Sequence, residues 1–196
     1  MAKHPRNIPT QNELDSSVTD ILYVMIQCSA YFSWHVHIKP KLNQPDPALV
    51  KIVQNSVIDG SLLSIRKLNE FFKARPKVDE KDDDLRAYDF LSFNKLGEFL
   101  NSKSKEEINK RIGHLTLKEA REGTGLWEIH KAVKLALSKS LSFLDFLIDE
   151  FYANKPEKRR FREFAIGAKA LLQRLSEQME KEKKIEENRK KGDQHS

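Results

Sequence analysis

The stretch Pro47-Ala-Leu-Val-Lys-Ile-Val-Gln-Asn-Ser-Val-Ile-Asp-Gly-Ser-Leu-Leu-Ser-Ile-Arg-Lys-Leu-Asn-Glu-Phe-Phe-Lys73 decides the fold class. Its apolar residues, from Leu49, Ile52 and Val53 through Leu62, Ile65 and Leu68 to Phe72, recur at helical spacing. Pro40, Pro45 and Pro47 mark a loop before it and Pro76 closes it. The spacing predicts a helix from Pro47 to about Lys73.

The same period recurs on both sides. Val18 to about His37 is apolar-rich, with Asp15, Ser16 and Ser17 as candidate N-caps. Residues 77–86 read as a charged loop, 88–100 as an aromatic segment with a short helix, and Lys105–Arg111 as a short helix. Gly123 and Gly125 break the chain, and Leu126 to Tyr152 predicts a long amphipathic helix. After Pro156 a last helix carries Phe161, Phe164, Leu172 and Leu175. Strand alternation persists nowhere in the sequence. The expected fold is all-α, an antiparallel helical bundle with a charged C-terminal helical extension. The expected division is an N-terminal arm at 1–17, a helical domain at 18–178, and a charged, flexible tail at 179–196.

Composition narrows the function classes. Charged residues make up 33% of the chain and mean hydropathy is −0.63, which suits a soluble protein with no apolar run long enough to span a bilayer. The single Cys28 leaves no internal disulfide and no cysteine-based zinc cluster. These readings point to a cytoplasmic protein with no cofactor, no metal and no membrane partner. Net charge is +6, and residues 155–193 hold thirteen Lys/Arg against eight Asp/Glu, a local +5. Lys3 and Arg6 add +2, so 11–154 sits near −1 and phosphate attraction belongs to the ends.

One polar stretch carries candidate chemistry: Ile108-Asn109-Lys110-Arg111-Ile112-Gly113-His114-Leu115-Thr116. On a helix, Lys110 and Arg111 share a face with His114, and cations there favour its neutral, basic form. Gly113 lets a ligand or another backbone approach. The plainer reading is a helix end, with Gly113 breaking the helix, His114 capping carbonyls and Thr116 starting the next turn. On the Pro47–Lys73 helix, Asp59, Arg66 and Asn69 fall nearly on one face beside Leu62, Ile65 and Phe72. A charge at the edge of the core requires a partner, which a phosphate or one of Asp83, Asp84 and Asp89 would supply. The plainer reading is a surface charge with a snorkelling stem.

These blocks carry a family resemblance. Arg66-Lys67-Leu68-Asn69-Glu70-Phe71-Phe72 looks like an "R-x-L-x-D/N-F-F" helix. An acidic loop and aromatic segment follow at Asp82 to Phe90, and an "N-K-x-x-x-H-L-T" motif at Asn109 to Thr116. In this order, over roughly residues 50–150, they resemble HEPN-like helical proteins, close to the AbiU-type abortive-infection domain. The resemblance implies a helical bundle and, in many members, a metal-independent ribonuclease acting as a dimer. Active members hold an arginine with four to six residues between it and the histidine. Here those places are Asn109, Ile108 and Glu107.

The resulting expectation is a defence- or toxin-related protein acting on RNA or a nucleotide. Its candidate catalytic residues are His114, Asn109 and Arg66, and its candidate ligand-binding residues are Asn69, Lys110, Arg111, Thr116 and Asp89. The alternative is a non-catalytic protein-interaction or scaffold module whose polar residues lock the bundle. A homodimer is expected because Phe71, Phe72, Phe90, Phe93, Phe99, Phe143, Phe146 and Phe151 would leave an apolar patch exposed.

Overall fold

The computed structural model describes residues 9–43, 45–74, 85–90, 93–113 and 129–192. The chain there is a helical bundle, with no strand among the described residues.

Helix α1 spans Gln11–Gln27, earlier than the Val18 start expected from the apolar pattern. A capping box explains the difference. Thr10 N–H donates to Glu13 Oε2 at 2.7 Å, and Glu13 N–H donates back to Thr10 Oγ1 at 3.4 Å. Residues 11–17 therefore belong to the first helix, and Leu14, Asp15 and Val18 are buried. Helix α2, Ala30–Ser33, continues into a π-helical turn at Trp34–Ile38 and a 3-10 turn at Lys39–Lys41. Pro40, which has no N–H to continue the ladder, lies in that last turn.

Helix α3 spans Pro47–Phe71, as its sequence predicts. Asp46 Oδ1 accepts from Ala48 N–H at 2.8 Å, and Pro47 takes the first turn, where a missing N–H costs nothing. By length and composition alone α3 could cross a bilayer, since an 18-residue window in it has a mean hydropathy of 1.2. Its C-terminal half, however, is core: Ile58, Leu62, Ile65 and Leu68 are buried.

Helix α4, Ser102–Gly113, starts before the expected Lys105 because Asn101 Oδ1 accepts from Ser104 N–H at 2.8 Å. Helix α5, Ile129–Phe146, ends in a π-helical turn at Leu147–Phe151. Helix α6 runs from Arg159 to Gly192, so the expected charged C-terminal helical extension takes in residues 179–192. The expected breaks at Gly123 and Gly125, and residues 126–128 of the expected helix, lie outside the described residues. Asp145 pairs with Lys169 at 2.6 Å and Lys134 pairs with Glu180, which makes α5 and α6 antiparallel.

Of the aromatic residues expected to form an exposed patch, Phe71, Phe72, Phe90, Phe93, Phe143 and Phe146 are buried in the core, and Phe99 and Phe151 pack against it partly buried. Phe143, fully buried, packs edge-on against Phe71, Phe72, Phe90 and Phe93 with ring centroids 5.1–6.0 Å apart. Edge-to-face packing matches the positive ring edge to the negative ring face. The core thereby takes up the surface on which the dimer expectation rested. Gly97, at φ +123, turns the chain so that its N–H donates to Phe72 O at 2.7 Å. A side chain there would strain the backbone.

Candidate functional site

Helix α4 carries one polar face built by sequence spacing. Ser102, Lys105, Glu106, Asn109 and Lys110 recur at i, i+3, i+4, i+7 and i+8, and they line a shallow depression wide open to solvent. The cations there are paired. Lys105 Nζ lies 2.6 Å from Glu98 Oε2, and Lys110 Nζ lies 2.5 Å from Glu106 Oε1. The Lys110 hydrogen bond and charge hold the Glu106 carboxyl below its usual range. Both pairs are solvent-accessible, and such pairs contribute little.

The structure sorts the sequence candidates. Asn109 and Lys110 are exposed and line this depression. Arg66 is exposed on α3, and neither it nor Asn69 is among the described lining. Asn69 is a correction. It is 1% exposed, and its Oδ1 accepts from Phe99 N–H at 2.9 Å and Leu100 N–H at 2.8 Å. The side chain satisfies two backbone donors of the loop ahead of α4, so it is a structural lock rather than a ligand-binding group.

Asp89 is a second correction. It is buried, and its Oδ2 accepts from Arg86 N–H at 2.8 Å, closing the turn at Ala87–Asp89. Arg86, itself buried, reaches Glu70 of α3 at 3.6 Å. His114 and Thr116 lie outside the described residues, as does the Arg111 side chain.

Sequence reasoning missed the other buried polar cluster. Asp15 on α1 is 3% exposed. Its Oδ1 accepts from Tyr152 Oη–H at 2.9 Å and Gln11 Nε2–H at 2.8 Å, and its Oδ2 lies 2.7 Å from Lys158 Nζ. Burial pushes the Asp15 carboxyl up, but hydrogen bonds from Lys158, Tyr152 and Gln11 and the Lys158 charge outweigh it, so its pKa falls below 3.8. Burial, then the bond to Asp15, pushes the Tyr152 hydroxyl well above its ordinary range. The cluster ties α1 to the segment entering α6 and leaves the Asp15 oxygens engaged. Cys28 offers no nucleophile: burial raises its thiol to about 12, and Sγ donates to Met25 O at 2.9 Å.

Comparison of the chain with protein-family models, with curated proteins and with solved structures found no match.

Proposed function

We propose that this chain is a HEPN-like helical protein of the defence or toxin type, cytoplasmic, that acts on RNA or a nucleotide at the polar face of α4. The observation that carries the reading is the exposed α4 face, where an amide and two lysines stand together. Lys105 and Lys110 would take phosphate oxygens and Asn109 would orient the bound group. His114, one residue past the described end of α4, would serve as general base, with Arg111 and Arg66 supplying further positive charge. Reversing the charge of Lys105 and Lys110 then weakens RNA binding while the melting temperature holds.

A second reading has its own support. Asn69 and Asp89, two of the candidate ligand residues, satisfy backbone groups of this fold. That pattern suits a scaffold module whose polar residues fix loops. Wild-type protein that cleaves no RNA, together with a His114→Ala variant that is destabilised, would favour it.

A further inference from the structure

From Ile38 to Val57 none of the described residues is buried. The stretch is nonetheless apolar. Ile38, Leu42, Leu49 and Ile52 are 47%, 38%, 57% and 63% exposed. The apolar window of α3 is only 28% buried, and the buried residues of α3 begin at Ile58. Large exposed apolar surface on a highly charged protein marks a contact site.

The charges say what the contact is. Lys39, Lys41 and Lys51 lie within the apolar stretch and are exposed. The acid between them, Asp46, is committed to capping α3. The bond between His37 and Gln178, 2.9 Å, brings α6 alongside. One to two turns further along α6, Lys181 and Lys184 are exposed on either side of an exposed Glu182, and Ile185 is 62% exposed.

We propose that residues 38–43 and 45–52 dock on an anionic lipid bilayer. Ile38, Leu42, Leu49 and Ile52 enter the headgroup region, and Lys39, Lys41 and Lys51 extend their charged ends to the lipid phosphates and carboxylates. The protein lies on the bilayer and does not span it, because the second half of α3 is held in the core by Leu62, Ile65, Leu68 and Asn69. A second copy seated on this patch would set like-charged lysines against one another. RNA would gain nothing from four aliphatic side chains. The sequence expectation of no membrane partner rested on the lack of a spanning run, which does not bear on surface docking.

Flotation of the full chain with vesicles tests this. Equimolar phosphatidylserine and phosphatidylcholine should bind it about 100-fold more tightly than phosphatidylcholine alone, at about fivefold for each of three lysines less what salt screens. The double variant Leu49→Glu, Ile52→Glu should lose that binding by at least ~10-fold with its melting temperature unchanged. Phe164→Glu, at an exposed apolar site on α6, should bind as wild type. No flotation with the anionic vesicles overturns the proposal, and so does binding that survives the double variant. A wild-type mass of two chains without lipid, reduced to one by the double variant, overturns it in favour of a second copy.

Discussion

Asn69→Ala separates a structural lock from a binding residue. The amide oxygen satisfies Phe99 N–H and Leu100 N–H, and Leu100 is 6% exposed. Truncation leaves both donors without their acceptor. An unsatisfied buried donor costs about 1–3 kcal/mol, and the Phe99 donor, only partly buried, recovers part of its loss from water. The pair together should cost about 2–4 kcal/mol. For a chain of this size each kcal/mol shifts the melting temperature by about 2–4 °C, so the variant should melt about 5–15 °C lower. Thermal unfolding followed by circular dichroism measures the shift. RNA affinity, taken well below the variant's melting temperature, should match wild type. A variant that melts like wild type but has lost RNA binding would refute the assignment of Asn69 as a lock and return it to the site.

Two further outcomes test the packing. Asp15 has a folded pKa depressed below 3.8, so its contribution to stability is present above that value and fades as pH falls through the lower folded one. Urea midpoints of Asp15→Asn and wild type should therefore differ clearly at about pH 6 and converge as the pH falls through the lowered folded pKa of Asp15; a gap that persists once Asp15 is protonated would contradict the charged pairing with Lys158. Phe143→Ala removes the ring that four others pack against edge-on, and should cost about 3–5 kcal/mol in a chemical melt.

Helix identity was legible where apolar period and proline punctuation agree, as at Pro47–Phe71. The start of α1 was missed because Asp15, Ser16 and Ser17 resemble a cap, whereas the Thr10-x-x-Glu13 box lies one turn earlier and Asp15 is a buried anchor. Its partners Tyr152 and Lys158 are more than a hundred residues away, and local pattern carries no trace of such a pairing. Asn69 failed as a site residue for the same reason. A polar side chain on an apolar face requires a partner, but the sequence does not say whether that partner is a ligand or a loop's backbone. On α4 the sequence singled out Asn109 and Lys110, but not Ser102 or Glu106, because the helix was expected to begin only at Lys105 and the Asn101 cap that extends it was not read.

The most direct measurement is the affinity and fate of a single-stranded RNA with wild type, the double variant Lys105→Glu, Lys110→Glu, and His114→Ala. Fluorescence anisotropy should show the double variant binding at least ~10-fold more weakly, with a flatter salt dependence and an unchanged melt. His114→Ala should keep the wild-type affinity and lose RNA cleavage by at least ~100-fold. Wild-type protein that neither binds nor cleaves RNA, or a double variant that binds as tightly as wild type, would contradict the assignment of α4 as the functional face.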